Sequence, residues 1–293
     1  MSILPGAEPY RHDGGRIGFL LSHGFTGTPQ SMRPWAEHLA EAGLTVSVPL
    51  LPGHGTRWQD MQLTTWPDWY AELDRAFDAL RARCDHVFVG GLSMGGTLAL
   101  RLAEQRGADI AGLVLVNPSV HADDPRLKAL PVLKHLVASL PGIGSDIRKE
   151  GATELAYARM PLKPLHSLAK LWPLVLAGLP QVTQPVLLFR SPQDHVVAPA
   201  NAETVLARIS STDVTTEVLA DSYHVATLDN DAERIFSGSL EFVRRLTALD
   251  SSDGKAGAED TDAPDAPDDA GHSGAPEPSG TATAGDGRDD AKD

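Results

Sequence analysis

Gly91-Leu92-Ser93-Met94-Gly95 follows the apolar run Val87-Phe88-Val89-Gly90 and opens onto Gly95-Gly96-Thr97-Leu98-Ala99-Leu100-Arg101-Leu102-Ala103-Glu104. The first run has the length and content of a buried strand, and the last has the spacing of a helix. A serine between them sits on a sharp strand-to-helix turn that pushes its hydroxyl away from the backbone. The glycines two residues to either side let neighbouring chain pass close by. The helix N-terminus beneath the serine favours negative charge developing there. The stretch therefore predicts a nucleophile elbow, with Ser93 as nucleophile.

The elbow fits its surroundings. Strand-length apolar runs alternate with helical patterns along residues 1–249. The runs are Gly18–Ser22, Leu44–Val48, His86–Gly90, Leu113–Val116, Pro185–Phe189 and Val214–Leu219. Helical patterns cover about Ser31–Ala42, Trp66–Ala82, the stretch after the elbow to Gln105, and Ala232–Leu246. Continuous Val/Leu-rich strands separated by helices predict an α/β fold, a doubly wound and mostly parallel sheet covered on both faces.

From about Ser119 to Val182 the alternation breaks. Pro131, Pro141, Pro161, Pro164, Pro173 and Pro180 interrupt short Leu/Ala/Val-rich pieces. This spacing predicts short helices and no long one. The segment is too long for a bare connection and reads as a small helical cap inserted between strands. It leaves from the C-terminal end of a strand, the edge where open parallel sheets bind ligands, so it is expected to border the active site.

A serine hydroxyl needs a base within hydrogen-bond reach, and the base needs a carboxylate to hold its tautomer. On this architecture the partners follow in the order Ser, Asp, His, each just past a strand. Asp194 in Ser191-Pro192-Gln193-Asp194-His195 fits as the acid, and His224 in Asp221-Ser222-Tyr223-His224 fits as the base. Asp194 has a rival role as cap of the helix expected near Ala198, and Asp221 is the alternative acid. His195 is expected to point elsewhere, and Asp229 and Asp231 to begin the final helix. An oxyanion hole would combine the Met94 amide with the Phe25 amide in His23-Gly24-Phe25-Thr26-Gly27. His23 and His54 are read as ordering their loops, and Trp66 and Trp69 as packing against the body.

The net charge of −14 is unevenly spread. Residues 250–293 hold 13 Asp and Glu against 3 Lys and Arg, net −10, leaving 26 against 22, net −4, in residues 1–249. The acidic segment has no aromatic residue and is expected to be a disordered tail. No basic patch points to nucleic acid. Cys84 is the only cysteine, which rules out an intrachain disulfide and a cysteine-based zinc site. There is no apolar run of about 18 residues. The first residues lack a signal-peptide pattern, so a cytoplasmic location is expected.

His23-Gly24-Phe25-Thr26-Gly27-Thr28-Pro29, Leu51-Pro52-Gly53-His54-Gly55, Trp66-Pro67-Asp68-Trp69 and Gly91-Leu92-Ser93-Met94-Gly95-Gly96 together resemble the bacterial monoacylglycerol lipase and carboxylesterase family of α/β-hydrolases. The resemblance covers about residues 10–246 and is weakest across the cap. It implies an intracellular esterase that cleaves small-molecule acyl esters, typically monoglycerides with short to medium chains, without metal or organic cofactor. It implies Ser93 as nucleophile, His224 as base, Asp194 as its orienting acid, and the Phe25 and Met94 amides as the oxyanion hole. The acidic tail departs from the family pattern. The short segment before the first long strand predicts the loss of one or two leading antiparallel strands. The same triad also serves thioesterases and carbon–carbon bond hydrolases, and more remotely a binding receptor. A bulky apolar cap can also dock onto a membrane surface or a second subunit, although its prolines leave no clear face to read.

Overall fold

The computed structural model describes residues 2–256 apart from Asp123 and Ile143. Among the described residues nine strands run in chain order: β1 (Tyr10–His12), β2 (Ile17–Ser22), β3 (Thr45–Val48), β4 (His86–Leu92), β5 (Gly112–Val116), β6 (Ser139–Pro141), β7 (Arg159–Pro161), β8 (Val186–Arg190) and β9 (Val214–Val218). Eight described α-helices join them: α1 (Arg33–Glu41), α2 (Trp58–Met61), α3 (Trp66–Arg81), α4 (Met94–Arg106), α5 (Leu130–Leu136), α6 (Leu162–Gly178), α7 (Ala200–Arg208) and α8 (Ala232–Ala256).

Seven strands form one sheet in the order β1-β3-β2-β4-β5-β8-β9. All neighbours are parallel except β1, which pairs antiparallel with β3. The chain moves outward from β2 to β3, then returns to place β4 on the other side of β2. That reversal opens a crevice past the C-terminal ends of β2 and β4, where an open α/β sheet binds its ligand.

Residues alternate between the two faces of the central strands. Leu20, Val87, Val89, Leu113 and Leu115 join Trp69, Phe77, Leu98, Leu102 and Leu171 from α3, α4 and α6 on one face. Phe19, Leu21, Phe88, Val114 and Val116 join Trp35, Leu39, Ile235 and Phe242 from α1 and α8 on the other. Both faces are covered, so these strands are apolar through their middles, at consecutive positions rather than every second one. Edge strand β9 is more exposed and correspondingly richer in threonine.

The cap departs from the expectation in two respects. Its main helix, α6, has 17 residues and carries Pro173 inside. Pro164 falls in the first turn, where no intrahelical donor is lost. Pro173 forgoes one backbone bond, and α6 makes up the loss by burying Leu168, Leu171, Trp172 and Val175 against the body. The cap also contains a short antiparallel pair, β6 with β7, which the periodicity did not indicate. At the other end of the chain, α8 continues to Ala256, beyond the boundary expected at 249. The remainder of the acidic segment, 257–293, lies outside the described residues. No described helix is long and apolar enough to cross a membrane.

Glu104 joins cap to body. Its side chain is buried between α4 and Gly178 at the end of α6, where a Cβ would overlap the carboxylate. One oxygen accepts from Arg101 at 2.9 Å, and Oε1 has no partner. Burial pushes the carboxyl up to about 7, partly opposed by Arg101. The folded chain therefore holds a proton that the unfolded chain releases near the ordinary carboxylate value of 4.5. The stability from the neutral form is complete below that value and is lost as pH rises through 7. Glu104→Gln should thus raise the melting temperature relative to the parent, by several degrees more at about pH 8 than at about pH 5. Thermal scans of both proteins across that range check this; a gap that narrows toward high pH would contradict it.

Candidate active site

The predicted residues lie in the loops that follow the C-terminal ends of β2, β4, β8 and β9. Ser93, between β4 and α4, has φ +56° and ψ −117°, a backbone conformation that costs a non-glycine residue on the order of 1–3 kcal/mol. The close approach that imposes it is visible at the flanking glycines. A Cβ on Gly91 would overlap the Gly95 backbone, and a Cβ on Gly95 would overlap the Ser22 carbonyl. The Ser93 amide donates to Val116 O at 3.0 Å, and its carbonyl accepts from Thr97 N and Ser119 N. The turn is thereby pinned to β5 and α4 through its backbone.

His224 Nδ1 lies 2.7 Å from Asp194 Oδ2, and both side chains are at least nine-tenths buried. The other carboxylate oxygen, Oδ1, accepts from Val196 N at 2.8 Å and Val197 N at 2.7 Å. One oxygen closes its own turn and the other faces the histidine; Asp194 does not cap the following helix, which begins at Ala200 with Pro199 as its N-cap and no side-chain cap. Asp221 points away, is largely exposed, and pairs with Arg148 at 3.2 Å.

Phe25 lies in the loop after β2, and Met94 opens α4 directly after Ser93. Met94 is the first residue of α4, so its amide has no acceptor within the helix. The 23–27 loop closes through Gly27 N to Gly24 O at 3.2 Å, with Thr26 at φ +63°. Gly24 lies against Ser93: a Cβ there would be 3.6 Å from the serine Cβ. His23 orders this loop, with Nδ1 3.0 Å from Gly24 O and Nε2 accepting from Leu51 N at 3.3 Å. Burial holds the imidazole neutral, down to about 4. His54 is bonded to Pro52 O and packs edge-on against Trp69, which is itself buried and in ring contact with Phe25.

Four further residues organise the site, and three of them, Asn117, Asp146 and Glu154, were not read from the sequence. Asn117, after β5, donates to Ser191 Oγ at 3.1 Å and to His224 O at 2.9 Å, and accepts from Ser191 N at 2.8 Å. It ties the acid loop to the base loop. Asp146 comes from the cap. Its Oδ2 accepts from His224 N at 3.1 Å and His195 N at 3.2 Å, and its Oδ1 lies 2.8 Å from His195 Nδ1. Asp229 accepts from Arg148 N, Lys149 N and Tyr223 N, so it secures the cap strap rather than only starting α8. Glu154, also from the cap, turns its carboxylate against Gly27, and burial pushes it up to about 7 against the opposing pull of His224.

The cap strap between Asp146 and Tyr157 thus bridges the base loop and the oxyanion loop, because Tyr157 N donates to Thr26 O at 3.1 Å and Leu155 N to Gln30 Oε1 at 2.9 Å. Asp146 is a positioning residue in this arrangement. Asp146→Ala should lower kcat on the order of ten-fold, with KM changed much less, because His224 loses its backbone anchor. Asp146→Asn, whose amide oxygen still accepts from both backbone amides, should recover most of the loss. Equal losses in both variants, or a loss confined to KM, would remove this role.

Residues 16–231 match the family described as serine aminopeptidase, S33. The chain is 47% identical over 241 residues to the thermostable monoacylglycerol lipase of Bacillus sp. (strain H-257), covering 82% of this chain and 95% of that one. A solved structure of a metagenome-derived lipolytic enzyme is 46% identical, with TM-score 0.81, covering 83% of this chain and all of that one. The Paleococcus ferrophilus monoacylglycerol lipase, 18% identical with TM-score 0.69 over 84% of this chain, shares the fold. With a parallel sheet, an elbow serine and this extent of similarity, the chain belongs to the S33 family of α/β-hydrolases and is a carboxylic ester hydrolase of the monoacylglycerol lipase and esterase type.

Proposed function

We propose that this protein hydrolyses monoacylglycerols and similar short- to medium-chain acyl esters through a Ser93–His224–Asp194 triad. The observation that carries the reading is the 2.7 Å bond from His224 Nδ1 to an Asp194 carboxylate whose other oxygen is already engaged. That bond leaves Nε2 as the imidazole's basic nitrogen. Ser93 Oγ attacks the ester carbonyl carbon as Nε2 accepts its proton. The tetrahedral oxyanion is held by the Phe25 and Met94 amides, the second of these at the N-terminus of α4, where negative charge is favoured. Collapse breaks the bond to the alcohol, which leaves with the proton from His224. Water, activated by the same imidazole, then attacks the acyl-serine and frees the acid.

Two features support a monoacylglycerol in preference to a bulkier glyceride. The cap strap is tied to both the base loop and the oxyanion loop, an arrangement that favours a small alcohol. Glu154 adds a polar group beside the oxyanion loop, suited to a hydroxylated alcohol. The test presents one medium-length acyl group as a monoglyceride, a triglyceride and a coenzyme A thioester. A clear kcat/KM preference for the monoglyceride is expected. Preference for the thioester, or turnover of none, would discard the lipid-ester reading while leaving the hydrolase fold.

A further inference from the structure

Asn117 stands where the three loops of the proposed triad meet. It follows β5 directly, and the residue before it, Val116, accepts the Ser93 amide at 3.0 Å. Its own amide donates to Phe189 O at 3.0 Å, which fastens the end of β5 to β8. The backbone there has φ +44°, a left-handed conformation that asparagine adopts more readily than most non-glycine residues. Asn117, Ser191 and His224 are all buried.

Its carboxamide fits only one way round. Oδ1 accepts from Ser191 N at 2.8 Å, a group that can only donate, and Nδ2 donates to His224 O at 2.9 Å, a group that can only accept. Nδ2 also reaches Ser191 Oγ at 3.1 Å and Tyr223 O at 3.4 Å, and the Ser191 hydroxyl carries the link on to Tyr223 O at 2.9 Å. Ser191 opens the loop that holds Asp194, while Tyr223 and His224 belong to the base loop. The spacing of the two loops is therefore set at their backbones, beneath the 2.7 Å bond between Asp194 and His224. Asp146 holds the His224 amide from the cap at 3.1 Å, and Asn117 holds the carbonyl of the same residue from the sheet.

We propose that Asn117, acting with Ser191, is a positioning residue for acyl transfer: its Nδ2 donor holds the His224 backbone where the imidazole meets Asp194 and Ser93 together. It touches no reacting atom. The role rests on the triad reading and goes beyond it by giving a residue outside the triad a required donor. The base must stay aligned with acid and nucleophile through both acylation and deacylation. A misplacement of about 1 Å caused away from the chemistry can cost on the order of 10²-fold.

Asn117→Asp is the isosteric test, because aspartate tolerates the same backbone. One oxygen can still accept from Ser191 N, while the other sets an acceptor against His224 O in place of the donor. On a soluble short-chain ester kcat is expected to fall on the order of 10²-fold, with KM changed less than about three-fold. Gln184→Glu makes the same exchange just before β8, at the opposite end of that strand, where Nε2 donates to Ala103 O at 3.2 Å and Gly107 O at 2.6 Å. It should lower the melting temperature comparably and leave kcat unchanged. Ser191→Ala removes only the hydroxyl link, a change mild enough to fold, and should lower kcat about five-fold, the scale of one hydrogen bond. Parent-like kcat in Asn117→Asp or Ser191→Ala, a loss confined to KM, or an equal fall of kcat in Gln184→Glu would overturn the proposal. Ser93→Ala separates the two readings. Activity surviving in that variant would remove the triad, whereas an inactive Ser93→Ala beside a parent-like Asn117→Asp would remove only the positioning role.

Discussion

Ser93→Ala is expected to fold as the parent does and to lose esterase activity by on the order of 10⁴-fold or more, the scale on which removal of a triad nucleophile acts. The variant loses one oxygen from the side chain. The turn itself is held by backbone bonds, from Ser93 N to Val116 O and to Ser93 O from Thr97 and Ser119, and by close packing at Gly91 and Gly95. Alanine also carries a Cβ at φ +56°, so the strain is unchanged and stability should shift little. Circular dichroism and melting temperature check the fold, and kcat/KM on a medium-chain monoglyceride checks the activity. Appreciable residual activity in a well-folded variant would remove Ser93 from the mechanism.

Asp194→Asn is expected to be nearly as damaging, and Asp221→Asn nearly silent. In the asparagine variant the amide oxygen remains the better partner for Val196 N and Val197 N, because both are donors. The amide NH₂ is thereby directed at His224 Nδ1. Nδ1 must then accept, the proton moves to Nε2, and the imidazole presents a donor to Ser93 where a base is needed. Such a tautomer inversion costs on the order of 10⁴-fold in kcat with geometry otherwise intact. Asp221 is an exposed partner of Arg148, and exposed pairs contribute little. The reverse ranking of the two variants would reassign the acid.

The elbow was legible because its chemistry is local. A strand, a serine between spaced glycines and a helix lie consecutively in the chain, and the structure holds them at the sheet's C-terminal edge. The proposed acid and base, Asp194 and His224, were reachable because each follows its strand within a few residues, and strand order sets their sequence order. Asn117 and Asp146 were not. Asn117 carried a weak signal, a polar residue directly after the apolar strand β5. Asp146 carried none: its partners, His195 and His224, are distant in the chain, and only the cap's folding brings it to them. The cap was misread for a related reason. Proline spacing reports local helix cost, whereas the length of α6 is decided by tertiary burial of Leu168, Leu171 and Trp172.

Mass spectrometry after covalent labelling tests the triad most directly. Incubated with a fluorophosphonate ester, the parent should lose activity in step with one adduct, and peptide mapping should place that adduct on Ser93. His224→Ala and Asp194→Asn should label far more slowly, and Ser93→Ala not at all. An adduct on another residue, or inactivation with Ser93 unmodified, would contradict the account.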